Sequence, residues 1–379
     1  MRRYRWLILA AGTLSATSLS AVQIGVSAIV PALRTHFHLS LSQIGIVLGA
    51  TNAGMTATLL AWGIVSDRIG ERRAIAYGLT GTTLALAGAA YVHSFAALAL
   101  LLAVAGASGA AVNSASGRAV MHWFPLHERG LALGIRQTAI PVGGFAGALV
   151  LPHLTVRAAF AALAIYAAVL AVLAVVVLRE RHVDEEIAEQ LVSPLRDPRM
   201  WLLCTASAFV LAGQLAIMSF VVLFLHDARG LSTARAAAVL AGVQVGGAIL
   251  RISSGRLSDR AGKRVPLFRA LSTLCGIALA AAAVLVHAPL TVLIPVLIVA
   301  GSLGMSWNGL SFTAAAEAAG PRRSGAAIGF QQTVLGVGGI VVPIAFVALL
   351  GATSWRVVFL ACAAAPLLGA LLLRPLRDL

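Results

Sequence analysis

Gly63-Ile64-Val65-Ser66-Asp67-Arg68-Ile69-Gly70-Glu71-Arg72-Arg73 is a short charged turn held between two long apolar segments. It returns as Gly255-Arg256-Leu257-Ser258-Asp259-Arg260-Ala261-Gly262-Lys263-Arg264, with the two aspartates 192 residues apart. A charged turn that recurs in the same hydrophobic setting implies a duplicated unit, so the chain reads as two related halves.

Single residues support the duplication. Gly134-Ile135-Arg136-Gln137-Thr138 aligns with Gly329-Phe330-Gln331-Gln332-Thr333 at an offset of 195, and Gly143-Gly144 falls on Gly338-Gly339. The same offset pairs Asn113 with Asn308, whereas 192 pairs Asn52 with Gln244 and Gly54 with Gly246; Gln23 and Gln214 stand 191 apart. Drifting offsets fit two bundles whose loops changed length.

The 379 residues are 60% hydrophobic and 11% charged, with mean hydropathy +0.94. A soluble domain cannot hide so much apolar side chain, so the chain needs lipid as its solvent. The formal charge is +15, almost all of it arginine. These residues sit in short clusters between apolar runs, which sets membrane orientation and makes no nucleic-acid patch. Cys204, Cys275 and Cys362 lie inside apolar segments, widely spaced, and read as small buried hydrophobes. The apolar run after Met1-Arg2-Arg3-Tyr4-Arg5-Trp6 continues to Val30, longer than a typical signal-peptide core and suited to a first spanning helix; a cleaved signal followed by eleven spans is the alternative.

A helix needs about 20 residues to cross the hydrocarbon core. That length predicts twelve spans: 7–32, 41–65, 74–92, 95–117, 131–152, 157–178, 200–225, 236–254, 266–286, 290–313, 325–350 and 355–373. With the N-terminus cytoplasmic, 22 of the 28 basic residues fall on that side and five on the other, so both termini are expected in the cytoplasm. The hydrophilic stretch 179–199, acidic at Glu180, Asp184, Glu185, Glu186 and Glu189, divides the spans evenly. The expected organisation is therefore an N-terminal six-helix bundle (1–178), a cytoplasmic linker (179–199) and a C-terminal six-helix bundle (200–379).

No enzyme constellation, phosphate loop or metal spacing of histidines is present, and no cofactor is implied. His122 and six other histidines fall near span ends, where histidine is commonly interfacial. All thirteen acidic residues also lie in loops or at span ends. Arg136, two turns into the fifth span, and Arg251, in the eighth, are different: an intramembrane arginine must meet water, an acidic partner or an anion. The forked donors of guanidinium suit carboxylate, nitrate-like or phosphate oxygens. Snorkelling, or pairing with Glu317, Asp259 or a helix C-terminus, is the alternative. The repeat sets Arg136 against Gln331 and Arg251 against Leu59, so positive charge is placed asymmetrically on a symmetric scaffold. The amides Gln23, Asn52, Asn113, Gln137, Gln214, Gln244, Asn308, Gln331 and Gln332 all lie within spans and are candidates to line a polar path with the two arginines.

The turn Gly-Xaa-Leu/Val-Ser-Asp-Arg-Xaa-Gly-Xaa-Arg resembles the loop between helices 2 and 3 of major facilitator superfamily transporters, and the resemblance extends along essentially the whole chain. It implies an all-α polytopic fold of twelve transmembrane helices in two bundles, working by alternating access. It also implies that Arg136 and Arg251 face the path between the bundles. Asp67, Arg68, Arg72, Asp259, Arg260 and Arg264 then form a gate that holds the cytoplasmic ends together and releases during turnover. Drug exchangers carry an arginine before the glycine-rich part of helix 4 and a glycine-proline pair late in helix 5. Leu101–Gly106 and Pro141–Gly147 have neither. Trp123-Phe124-Pro125 and Glu128-Arg129-Gly130 are similar to carriers of small anions, including the anion:cation symporters and cyanate or nitrate porters. The expectation is a monomeric, multi-pass inner-membrane secondary transporter for a small organic or inorganic anion. A proton or cation is the expected coupling partner, and proton-coupled multidrug efflux is the alternative.

Glycines Gly45, Gly49, Gly106, Gly109, Gly143, Gly144, Gly147, Gly336, Gly338 and Gly339 are expected to allow close helix approach or bending. Pro141 is expected to kink the fifth span just beyond Arg136.

Overall fold

A computed structural model describes residues 3–180 and 194–376. The acidic residues Asp184, Glu185, Glu186 and Glu189 of the linker lie outside the described residues. Glu180 stands 4.0 Å from the Arg73 guanidinium.

The first half holds α1 (Tyr4–Ala28), α2 (Val30–Phe37), α3 (Leu41–Ile69), α4 (Glu71–Ala89), α5 (Phe95–Trp123), α6 (Arg129–Arg136), α7 (Ala139–Val150) and α8 (Val156–Val177). The second holds α9 (Pro198–Leu223), α10 (Thr233–Ala261), α11 (Val265–Val284), α12 (Leu290–Met305), α13 (Asn308–Ala319), α14 (Ser324–Ala352) and α15 (Trp355–Leu372). Every stretch expected to span is helical, and three are broken in two. Among the described residues ten helices are long and apolar enough to cross a membrane. The charged start of α4 and the break between α6 and α7 account for the two expected spans that are not among them.

The breaks have local causes. Pro31 follows Ile29 at the α1/α2 junction, where its missing N–H costs nothing at a fresh helix start. Pro141 cannot donate to the carbonyl of Gln137, four residues back, and the helix parts at Gln137–Thr138, directly after Arg136. Between α12 and α13 no proline intervenes. There the chain opens at Ser306–Trp307 and other side chains take the freed carbonyls.

The chain forms two compact units. The first comprises Met1–Pro125, Ile135–Pro194 and Ala319–Thr333; the second comprises Leu126–Gly134, Leu195–Ala318 and Val334–Leu379. α6 and α14 each straddle the division. In the first unit one core gathers Val22, Leu33, Val47, Leu86, Leu98 and Phe160, and another Ile8, Ile75, Leu79, Val112 and Leu178. In the second, Phe224, Leu279, Leu297 and Phe359 fill the main core, beside the stacked rings of Phe220 and Phe346, 3.8 Å apart. Phe145 is 71% and Val176 72% exposed, the outward apolar face expected of a chain solvated by lipid.

Close approach recurs in several helix pairs, among them α3–α5 and α1–α7 of the first unit. A Cβ on Gly106 would sit 2.0 Å from the Thr51 carbonyl oxygen, so α3 and α5 touch backbone to backbone; one on Gly143 would sit 2.3 Å from that of Thr17, on α1. Gly45, Gly49 and Gly339 have no neighbour within 4 Å of that position, so they do not serve close packing here as expected.

Gly106→Val should therefore overpack the α3–α5 contact and cost about 1–3 kcal/mol. Gly45→Ala should change stability by less than about 0.5 kcal/mol. Thermal unfolding midpoints of the detergent-purified variants check both.

Candidate functional site

Arg136 is the last residue of α6 and is 2% exposed. Its Nε donates to Ser116 Oγ (3.0 Å) and Nη1 to Gln137 Oε1 (2.8 Å); Nη2 donates to the Asn113 carbonyl (2.7 Å) and to Asn113 Oδ1 (3.1 Å). All these acceptors are neutral. The network extends through Met55, whose sulfur accepts from Asn113 Nδ2 (3.5 Å) and Gln23 Nε2 (3.4 Å), to Asn52, whose Oδ1 accepts from Gln23 Nε2 at 2.7 Å. Gln23, Asn52, Asn113, Arg136 and Gln137 are thus one polar chain in the first unit.

Arg251, on α10 and 3% exposed, has a related seat in the second unit. Nε donates to the Met305 carbonyl (3.0 Å) at the end of α12, and Nη2 to Asn308 Oδ1 (3.4 Å) at the start of α13. Ser254, one turn on, donates to the Ser306 carbonyl at 3.0 Å. The α12/α13 break therefore exposes carbonyls that one face of α10 satisfies, and the guanidinium sits at the negative end of a helix dipole. Trp307, fully buried in the break, donates to Gln214 Oε1 at 3.1 Å. Asn113 and Asn308 are repeat equivalents, and each holds a buried arginine although the arginines are not equivalent to one another. Gln244 Oε1 and Gln332 Nε2 are buried with no hydrogen-bond partner among the described residues, and Gln331 is fully buried.

The two repeated turns make matching latches. Asp67 accepts from the backbone N–H groups of Gly325 (3.0 Å) and Ala326 (2.8 Å), at the start of α14. Asp259 accepts from those of Gly130 (2.9 Å) and Leu131 (2.8 Å), at the start of α6. First-turn N–H groups have no partner inside their helix and carry the positive end of its dipole, so a carboxylate fits there. Arg118 joins Asp67 (3.2 Å) to Glu71, and His122 Nδ1 lies 3.7 Å from Glu71 Oε2. Arg264 joins Asp259 (2.5 Å) to Glu317 (3.2 Å) and donates to Ser258 Oγ and the Leu126 carbonyl. Burial alone would raise the Glu71 carboxyl, but the imidazole of His122 and the charge of Arg118 outweigh it and hold the group below the usual range. Burial likewise works against the charge of Arg264, and Glu317 and Asp259 reverse it, so its basicity rises.

Asp67, Asp259 and Arg264 thus occupy the latches. Arg68, Arg72 and Arg260 are exposed and make no ion pair among the described residues. Glu71, Arg118, His122 and Glu317 complete the latches and were not among the expected gate residues. The one sequence signal for them was charge just past the polar end of a span. His122, expected at the interface, is buried. Among the described residues no cluster of histidine, cysteine and acidic side chains has the makings of a metal site.

The sequence pattern of the Major Facilitator Superfamily matches residues 8–343. The chain belongs to this superfamily. The MFS-type transporter Rv2994 of Mycobacterium tuberculosis is 32% identical over 371 residues, covering 96% of this chain and 83% of that protein. The hexuronate transporter of Escherichia coli is 30% identical over 156 residues, 41% of this chain and 35% of that one. Among solved structures, a bacterial homologue of the iron transporter ferroportin in its outward-facing state superposes with TM-score 0.80 over 99% of this chain and all of that one, at 14% identity. That last likeness carries the fold alone. As a superfamily member the protein is a multi-pass membrane transporter that works on a small-molecule solute by alternating access.

Asp67→Asn should raise amide exchange at 325–326, and Asp259→Asn at 130–131, each about tenfold, since a neutral amide replaces a charge-assisted acceptor. Exchange mass spectrometry of each variant should leave the other latch unchanged. Because the Glu71 carboxyl is depressed, its contribution to stability is complete above the unfolded glutamate value of about 4.3 and is lost as pH falls through the lower folded value. Unfolding midpoints should decline over that interval, less so in Glu71→Gln.

Proposed function

We propose that this superfamily member moves a small anion, with Arg136 and Arg251 recognising its negative charge. The observation that carries the reading is the Arg136 guanidinium: buried, inside a membrane span, and held by neutral oxygens only. Burying an uncompensated charge costs several kcal/mol. A solute that brings the opposite charge recovers that cost in transit, and guanidinium offers it two parallel donors. The relative named for hexuronates, which are carboxylates, points to an organic carboxylate within the anion class.

Gln23, Asn52, Asn113, Gln137, Gln214, Gln244, Asn308, Gln331 and Gln332 supply neutral donors and acceptors for the rest of the solute. The two Asp latches hold one state of the cycle and break in the other. The surrounding frame is twelve spans in two six-helix bundles, 1–178 and 200–379, joined by 179–199. Both termini face the cytoplasm across the inner membrane, the carrier acts as a monomer, and it couples to a proton or cation. One observation favours efflux of a neutral or amphipathic compound instead: all three donor nitrogens of Arg136 are already engaged, as in an arginine that only ties α5 to α6.

Proteoliposomes containing the full chain, offered glucuronate, galacturonate, nitrate and cyanate with and without a pH gradient, should accumulate at least one of them. Arg136→Gln and Arg251→Gln should each lower that flux about tenfold or more, the loss of one charge-assisted bond. Unaltered flux in both folded variants rejects the arginine assignment.

A further inference from the structure

His122 is the one imidazole among the residues that complete the latches, and it stands apart from the polar chain around Arg136. Its side chain is fully buried on the last turns of α5. Nε2 lies 3.0 Å from the Pro321 carbonyl oxygen. A carbonyl only accepts, so Nε2 carries the hydrogen and Nδ1 is the nitrogen left to gain or lose a proton. Nδ1 faces Glu71 Oε2 of α4 at 3.7 Å. The same Glu71 oxygen is held by Arg118, which also reaches Asp67 of α3 at 3.2 Å.

Charge counting favours a proton there. Burial raises the Asp67 carboxyl to about 6; above that pH Glu71 and Asp67 carry two negative charges and Arg118 one positive, so neutral His122 leaves the buried group at minus one and protonated His122 brings it to zero. Arg322 and Arg323, which follow Pro321, add positive charge at the same turn and temper that preference. The element held is the same at both ends of the cluster. Pro321 opens the turn that leads into α14, and Gly325 and Ala326 at its start are the groups Asp67 grips.

The duplication supplies the contrast. At the offset of 195, His122 corresponds to Glu317, whose partner Arg264 stays charged at any physiological pH. His127, which precedes α6, is 73% exposed and faces Glu128 at 3.7 Å, outside the Asp259–Arg264–Glu317 set. One latch thus contains a buried imidazole where its repeat equivalent has a carboxylate.

We propose that His122 is a proton-binding site of the transport cycle, Nδ1 being the atom that takes the proton and the start of α14 the element whose release it controls. Protonated, His122 donates toward Glu71 and strengthens its bond to Pro321, and the latch stays shut. Deprotonated, an imidazole lone pair faces a carboxylate, and the α14 start opens more often. The inference rests on alternating access and is independent of whether the solute is an anion.

Amide exchange of the full chain in lipid nanodiscs, followed across about pH 5.5–8 and corrected for intrinsic exchange chemistry, needs no solute and so separates this inference from the anion reading. Exchange at 320–328 should rise with pH up to about tenfold, the loss of one charge-assisted hydrogen bond. Exchange at 130–131 should stay flat and reports that the chain is folded. His122→Gln, which keeps a donor for Pro321 but cannot protonate, should abolish the rise. Glu71→Gln, which removes the carboxylate that favours the proton, should move it to lower pH. A flat profile in the unmodified chain, or a rise that persists in His122→Gln, overturns the inference. Should His122→Gln fail to fold, an unshifted rise in Glu71→Gln overturns it.

Discussion

Two aspartate carboxylates, each accepting a pair of backbone N–H groups at the start of a helix, join stretches of chain that lie far apart in sequence. The bond from Gly325 to Asp67 closes a separation of 258 residues, and that from Gly130 to Asp259 one of 129. Neither partner is well served alone. A helix start has N–H groups with no acceptor of its own, and a carboxylate buried near lipid needs compensating charge. Each supplies what the other lacks, and Arg118 and Arg264 add permanent positive charge beside the two carboxylates.

The buried arginines follow a different economy. The hydrogen bonds of Arg136 go to amide, hydroxyl and carbonyl oxygens, and Arg251 donates to the Met305 carbonyl and the Asn308 amide oxygen. Asn113 and Asn308 provide the same seat in the two units, approached by α6 in one and α10 in the other. Duplication thus preserved the acceptor while the donor diverged.

Backbone irregularity is confined to places where other groups satisfy it, as lipid demands. Pro141 ends α6 immediately after Arg136 and so helps set the direction in which that side chain leaves the helix. The α12/α13 break has no proline. Its freed carbonyls are capped by Arg251 and Ser254 from α10, so break and arginine stabilise one another. The glycines divide along similar lines: Gly106 and Gly143 admit a neighbouring backbone, whereas Gly45 and Gly49 face open space.

Sequence by itself determined the solvent, the helices and the repeat. Hydropathy over about 20 residues and the period of an apolar helix are local quantities, and so is the turn built on Asp67 and Asp259. It also singled out Arg136 and Arg251, because charge inside an apolar run is visible without any neighbour. Tertiary structure alone decided the company those residues keep. Nothing near Asp67 in the chain points to Gly325 or Arg118 as its partners in one cluster, and nothing near His122 points to Pro321. Arg68, Arg72 and Arg260, adjacent to the aspartates, turn outward, while Arg118 and Arg264 turn in. On a helix, a step of one residue rotates the side chain by about 100°, so proximity in sequence says little about which face is buried, and the packing of distant helices selects the partners.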